Sequence, residues 1–322
     1  MTASSLPHTM LAWRATRFGG LDALRQLDIP VPEPRADEVL IEMQAAGLNP
    51  VDLKTLQGHF PLVKQDTLPL TLGRDVAGVI VKRGADAQAW PQGARVCGFI
   101  GQGQGALAEY VVASASALAG VPSSCAIDAA GALPLAALTA WQGLFDYGKL
   151  QGGQRVLILG ASGGVGRFAV QFARHAGAQV VATASAHEHS ALLALGAKDV
   201  IDYTSQDIED IGDEVDLVFD LLGGEAQTHA WPRVKQGGAL VSTLDEPSQS
   251  EASARGARGT RYTARPDGGQ LAQIVELVEL GVVKIEVVER FAFDETAKGF
   301  ERLKKGHLHG KLAVLRQARA VP

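Results

Sequence analysis

The 322-residue chain predicts an α/β fold in which a doubly wound parallel sheet is joined to a second, β-rich domain. Three observations carry that expectation. The run Arg155-Val-Leu-Ile-Leu-Gly-Ala-Ser-Gly-Gly-Val-Gly166 is an apolar strand that empties through small residues into the helix-like Arg167-Phe-Ala-Val-Gln-Phe-Ala-Arg-His-Ala176. Beyond it, short apolar runs alternate with helical stretches and glycine stops, the pattern that successive βαβ crossovers require. Before it, residues 8–120 hold short alternating or apolar runs broken by Gly and Pro clusters, as in an irregular barrel.

Taken in order, Glu38–Met43, Asp75–Val81, Arg95–Ile100 and Ala108–Ala113 read as strands of the β-rich part. The longest apolar stretch, Cys125–Phe145, carries Asp128 and Pro134 and reads as a buried helix pair, not a membrane span. After the strand at Arg155, Gln179–Ala184 is the second parallel strand, and the helical Glu188–Leu195 stops at Gly196. Strands Asp199–Asp202 and Val215–Asp220, a helix after Gly223-Gly224, and strands Gly238–Ser242 and Thr260–Ala264 complete six strands. Ser248–Gly259 reads as a surface loop between the last two.

The glycine turn admits two chemistries. G-x-G-x-x-G spacing falls on Ala161, Gly163 and Gly166, with an alanine in first place, whereas Gly160-Ala-Ser162-Gly-Gly164 also satisfies the G-x-S-x-G elbow of a hydrolase. An elbow would need several strands of the same sheet before residue 155, and the β-rich region offers none of that kind. The turn is therefore read as a dinucleotide cradle of Rossmann type, with a helix N-terminus turned toward the pyrophosphate. The second strand ends at Ser185, where an Asp or Glu would accept from the ribose 2′-OH and repel a 2′-phosphate. NADPH is the expected cofactor.

Composition narrows the class further. A length of 322 residues with 46% hydrophobic content suits two ordinary cores, and a net charge of −5 argues against a nucleic-acid surface. Two distant cysteines, Cys97 and Cys125, suggest a reducing compartment without a disulfide framework. Met1–His8 lacks the basic-then-apolar pattern of a leader, so the cytoplasm is expected.

Over nearly its whole length the chain resembles the zinc-independent quinone oxidoreductase (zeta-crystallin-like) branch of the medium-chain dehydrogenase/reductase superfamily. The resemblance rests on the order and spacing of Ala45-Ala-Gly-Leu-Asn-Pro-Val-Asp52, Leu68-Pro-Leu-Thr-Leu-Gly-Arg-Asp-Val-Ala-Gly78, Gly93-Ala-Arg-Val96, Ala108-Glu-Tyr-Val111, Ala132-Leu-Pro-Leu-Ala-Ala-Leu-Thr-Ala-Trp141 and Gly306-His-Leu-His-Gly-Lys-Leu312. It implies a GroES-like catalytic domain over residues 1–127, a Rossmann NADP(H)-binding domain over 128–264, and a return to the catalytic domain over 265–322. Zinc-dependent relatives place a Cys and a His where this chain has Asn49 and Arg74; an arginine has no lone pair for a metal, and two cysteines cannot build a four-thiolate lobe. No metal is expected, and the pairs His187-x-His189 and His307-x-His309 read as solvated polar segments.

By the same resemblance, Ser162, Gly163, Gly164, Val165 and Gly166 cradle the pyrophosphate. Ser185, His189 and Tyr203 meet the 2′-phosphate, with a histidine where relatives often place Lys or Arg. Thr139, Thr243 and Leu244 border the nicotinamide. Asn49, beside the nicotinamide ribose, and Asp52 are the catalytic candidates, although Asn-Pro is also a turn signal and Asp52 suits a helix cap. Relatives often carry a tyrosine soon after the glycine matching Gly58; the run here is Gly58-His59-Phe60. The implied activity is zinc-free hydride transfer from NADPH to a quinone or an α,β-unsaturated carbonyl, acceptors that bring their own electron sink. The alternatives are a non-catalytic NADPH-binding sensor or structural protein, and a reductase of enones, alkenals or enoyl-thioesters. A homodimer paired through Thr260–Ala264 is the expected assembly.

Overall fold

A computed structural model describes residues 6–101, 105–208 and 212–316; the first five residues of the N-terminal run considered above fall outside them. The first part of the chain carries β1 (Thr9–Ala15), β2 (Leu24–Pro30), β3 (Glu38–Leu48), helix α1 (Pro50–Leu56), β4 (Leu70–Thr71), β5 (Asp75–Arg83), β6 (Arg95–Phe99), β7 (Tyr110–Ser114) and β8 (Leu118–Gly120). Its long strands alternate in burial only weakly, because Val39, Ile41 and Met43 point into one core while Leu40 and Ala45 are covered from the other side. Helices α2 (Ile127–Ala132) and α3 (Pro134–Trp141) follow, split by Pro134, which lacks the N–H that a continuous helix would use.

The next segment is the parallel sheet: β9 (Arg155–Leu159), α4 (Gly164–His175), β10 (Gln179–Ala184), α5 (His189–Leu195), β11 (Asp199–Asp202), β12 (Val215–Asp220), α6 (Gly224–Ala230), β13 (Val234–Ser242), α7 (Gln249–Ala254) and β14 (Arg258–Arg261). The spatial order is β11-β10-β9-β12-β13-β14, with all neighbours parallel. This is the doubly wound dinucleotide topology, with the direction of winding reversing beside β9. Successive residues of β9 serve two cores: Val156 and Ile158 pack with Phe168 and Phe172 of α4, and Leu157 and Leu159 with Val218 and Trp231 on the opposite face. A strand buried on both faces reads as a continuous apolar run, as Val156–Leu159 does.

After α8 (Gly268–Glu279), β15 (Val287–Ala292), α9 (Thr296–Lys304) and β16 (Lys311–Leu315) bring the chain back to the first core. Strand β16 lies antiparallel to β3, pairing Leu312 with Leu48, and the sheet runs β15-β16-β3-β5-β6-β8 with β7 also on β3.

Two details differ from the sequence expectation. Ser248–Gly259 is not a loop: Ser248 caps α7, its Oγ accepting the Glu251 N–H at 3.3 Å, an S-x-x-E helix start within an otherwise polar stretch. The last sheet strand ends at Arg261 and not at Ala264, because Tyr262 turns inward, stacks on Tyr147 at 4.5 Å and donates its hydroxyl to the Thr139 carbonyl.

Candidate active site

Strand β9 delivers the chain into the glycine turn at Gly160, whose φ of +77° is one that side chains rarely adopt. The turn closes tightly. A Cβ on Gly166 would stand 2.4 Å from the Gly160 oxygen and 2.6 Å from the Ala161 Cα, so only glycine lets α4 pack against the end of β9. Gly163 is the N-cap, and a Cβ there would meet only the Gly160 oxygen at 3.5 Å, leaving an open approach beside half-buried Ser162. Gly164, Val165 and Gly166 form the first turn of α4, where N–H groups have no carbonyl four residues back within the helix. These residues fit a pyrophosphate: a helix start offers N–H donors without helical partners, and Gly163 leaves the approach to them open.

The adenosine end follows from sheet register. Pairing of Ala184 with Asp202 places Ser185 and Tyr203 as the next residues beyond two adjacent strand ends, so two of the predicted 2′-phosphate contacts share one rim. Tyr203 is exposed there. His189 opens α5 half-buried, and its Nε2 is buried without a hydrogen-bond partner among the described residues. The Ser185 hydroxyl contacts His187 instead, 3.1 Å from Nδ1. His187 in turn reaches His309, Nε2 to Nε2 at 3.3 Å, across 122 residues of sequence. One histidine of each pair thus meets the other across the return to β16, while His187 and His307 remain exposed as the sequence led us to expect.

On the opposite side of the turn, Asn49 caps α1 at the end of β3 and is almost wholly buried. Its Nδ2 donates to Asp75 Oδ2 at 2.8 Å, and its Oδ1 accepts from Lys311 Nζ. The Asn49 backbone N–H donates to Asp52 Oδ2 at 2.9 Å, so Asp52 holds the start of α1 and is itself only 1% exposed. Arg74 lies 4.0 Å from Asp52, donates to Thr55 Oγ1 at 3.2 Å, and stacks its guanidinium over Phe60 of the Gly58-His59-Phe60 run. Thus Asn49 and Arg74 each sit in a hydrogen-bonded or ionic setting made by neighbouring carboxylates.

Lys311 is the residue that motif reasoning passed over. Near the end of the Gly306–Leu312 run, it opens β16, is buried, and lies 3.9 Å from Asp75. A Cβ on Gly164 would strike its Cδ at 2.9 Å, so the lysine stem runs directly beneath the glycine turn toward Asn49. Burial pushes the Asp75 carboxyl up to about 7 and Asp52 up to about 6, with Lys311 and Arg74 drawing them back. The same burial lowers Lys311 and Arg74 from their ordinary values. Two cations and two carboxylates thus share one dry enclosure around an amide.

The other predicted contacts lie around the ends of the central strands. Thr139 is half-buried on α3 and turns its hydroxyl back to the Leu135 carbonyl at 2.7 Å. Thr243 donates its backbone N–H to the Asp220 carbonyl at 3.2 Å, and the Leu244 N–H donates to Ser242 Oγ at 3.1 Å. The buried Asp220 carboxylate organises this end, accepting from Leu222 N–H, Gly223 N–H, Gln227 Nε2 and Ser242 Oγ. Its sequence signal was an acid ending a buried strand just before Gly223-Gly224.

Residues 35–123 match the alcohol dehydrogenase GroES-like domain, and residues 195–314 match the zinc-binding dehydrogenase family. The chain is 36% identical to a 2-methylene-furan-3-one reductase of Solanum lycopersicum, across 97% of this chain and 81% of that protein. It is 35% identical, with the same coverage, to an NADPH-dependent alkenal/one oxidoreductase of Arabidopsis thaliana that is described as chloroplastic. The solved quinone oxidoreductase from Coxiella burnetii superposes with a TM-score of 0.89 at 32% identity, covering 96% of this chain and all of that one. With both domain families matched and relatives of 32–36% identity along nearly the whole chain, the chain belongs to the quinone oxidoreductase branch of the medium-chain dehydrogenase/reductase superfamily of oxidoreductases.

Proposed function

We propose that this protein transfers a hydride from NADPH to a quinone or an α,β-unsaturated carbonyl without a catalytic metal. The observation that carries the proposal is the closed network Lys311–Asn49–Asp75, set under Gly164 of the cofactor turn and built where zinc-dependent relatives keep ligands. NADPH, when bound, supplies the hydride. The chain's own part is positional and electrostatic.

Gly163, Gly164, Val165, Gly166 and Ser162 hold the pyrophosphate at the start of α4, and Ser185, His189 and Tyr203 receive the 2′-phosphate. Thr139, Thr243, Leu244 and Asn49 border the nicotinamide end. Lys311 fixes the Asn49 amide by donating to Oδ1, leaving Nδ2 committed to Asp75, so the amide has one orientation. Asp52 is a positioning residue, since it holds the Asn49 backbone. The enclosure carries no net charge when its two carboxylates and two cations are ionised, which leaves little to stabilise an alkoxide. An acceptor with its own conjugated sink needs no such stabilisation, and the product oxygen or carbon takes its proton from water.

Residues 1–127 and 265–322 act here as the catalytic domain and 128–264 as the cofactor domain. The exposed outer edge of β14 suits pairing with a second copy across a two-fold axis. The free Cys97 and Cys125 suit a reducing compartment such as the cytoplasm. Among the described residues, no helix is long and apolar enough to cross a membrane.

The test is the loss of NADPH absorbance with purified protein against a benzoquinone, a phenanthrenequinone and an alkenal series, run in parallel with NADH. Turnover of an activated acceptor that survives exhaustive chelation supports the reading. Tight NADPH binding with no turnover of any such acceptor would replace it with a sensor or structural role.

A further inference from the structure

We propose that His187, Glu188 and His309 form a binding site for one divalent transition-metal cation, such as Zn²⁺, that ties the cofactor domain to the returning β16 segment. One ligand atom from each residue lies within 4.8 Å of the others. His309 can bind one ion through only one of its two ring nitrogens, and each of them lies near a different partner. His187 Nε2 to His309 Nε2 is 3.3 Å, His309 Nδ1 to Glu188 Oε1 is 3.3 Å, and His187 Nε2 to Glu188 Oε1 is 3.9 Å. Ligands about 2.0–2.1 Å from a tetrahedral zinc stand about 3.3–3.4 Å apart, so the ligating His309 nitrogen already meets one partner at that spacing, and rotation of the His187 and His309 rings, both at least a third exposed, must draw in the third ligand from within 4.8 Å.

The electrostatics favour a cation over an anion at this spot. Arg167 Nη1 binds Glu188 Oε2 at 2.9 Å, while its Nη2 binds Glu286. One guanidinium thus faces two carboxylates, and the group keeps one negative charge beside two imidazoles. Arg167 also fixes the Glu188 side chain, which is 10% exposed, so Oε1 is presented to the histidines without a further ordering cost. His309 Nδ1 is buried and makes no hydrogen bond of acceptable geometry, despite its closeness to Glu188. A metal would satisfy that donor set, and His187 is exposed enough to let an ion and a completing water enter.

The arrangement does not repeat the Asn49 and Arg74 positions. It joins the turn after β10 to the entry of β16, two residues before Lys311, so a bound ion would cross-link segments far apart in sequence.

The experiment uses the full chain without a polyhistidine tag, cleared of metal by chelation, and titrated calorimetrically with Zn²⁺. One equivalent is expected. His187→Ala and His309→Ala should each weaken binding at least tenfold, the exposed His175→Ala should leave it unchanged, and the double variant should lose the site. Both replaced histidines are at least a third exposed, so the variants should fold, which circular dichroism checks. Zinc should also raise the thermal midpoint of the parent chain and not that of the double variant. Absence of binding by the parent chain, or equal affinity in the double variant, would overturn the proposal.

Discussion

Replacing Lys311 by Met tests whether the buried network is an electrostatic unit. Met matches the length of the lysine stem, so the change removes the ammonium while largely keeping the packing under Gly164. What is lost is the bond to Asn49 Oδ1, the contact to the Leu48 carbonyl at 3.4 Å, and the ion pair with Asp75 at 3.9 Å. Arg74 then faces Asp52 and Asp75 alone. Breaking a buried pair from one side costs about 3–5 kcal/mol, because the remaining charge stays dry and uncompensated, and that is the loss expected near pH 8.

The pH dependence makes the prediction specific. Asp75 has a folded value of about 7 against 3.8 for the free side chain, so the folded state holds its proton more tightly. The stabilisation from that proton is full below about pH 4 and is lost as pH rises to about 7. Lys311 is the strongest influence holding the value down, so its removal raises Asp75 further. For the first unit gained, about 1 kcal/mol more stability is lost between about pH 6 and pH 8 than in the parent chain, and further units add little because the window itself allows at most about 1.4 kcal/mol more. Lys311→Met should therefore be less damaging at the lower pH by about that amount. Urea unfolding followed by tryptophan fluorescence at the two pH values reads it directly. A loss under about 1 kcal/mol, or one equal at both values, would refute the coupling between Lys311 and Asp75.

Gly166→Ala should weaken NADPH at least tenfold in a fluorescence titration while the protein stays folded, since its Cβ meets backbone atoms that can yield only by shifting the start of α4. An unchanged dissociation constant would mean that this close approach does not shape the cofactor turn. Ser185→Asp places a carboxylate beyond β10, and the kcat/KM ratio of NADPH to NADH should fall at least tenfold, about 1.4 kcal/mol of discrimination. If the ratio holds, the 2′-phosphate is received elsewhere. Tyr262→Phe leaves the Thr139 carbonyl without its buried donor and should cost about 1 kcal/mol in chemical denaturation, with less effect on NADPH binding than Gly166→Ala.

What sequence could and could not convey differs by the kind of signal involved. The sheet was legible because both faces are covered: Val156–Leu159 and Leu217–Phe219 are unbroken apolar runs, and glycines follow shortly after them. Ser185 and Tyr203 were readable as neighbours because parallel register carries the ends of β10 and β11 to one rim. Ser248 and Glu251 carried a helix start that the surrounding polar residues obscured. Lys311 and His309 were invisible for another reason. Each acquires its role from a partner more than 100 residues away, Asn49 or His187, and no local spacing encodes that meeting. Composition could not separate a buried lysine from a solvated one.

The buried charges bear on why such a site would favour electron-poor acceptors. A zinc ion held by a thiolate and an imidazole brings net positive charge to the substrate oxygen, and oxidation of a simple alcohol depends on that charge as the alkoxide develops. Here Arg74 and Lys311 supply two positive charges within the same region, but Asp52 and Asp75 answer both, and Asn49 absorbs the lysine's hydrogen bond. The cations are therefore occupied in keeping the carboxylates ionised, as the upward pull on both acids by burial requires. A network balanced in this way can orient the amide and exclude water, but it has little uncompensated charge to lend to a substrate. Chemistry at such a site must draw on the acceptor's own conjugation, which links the unusual ligand positions to quinones and enones by electrostatics as well as by descent.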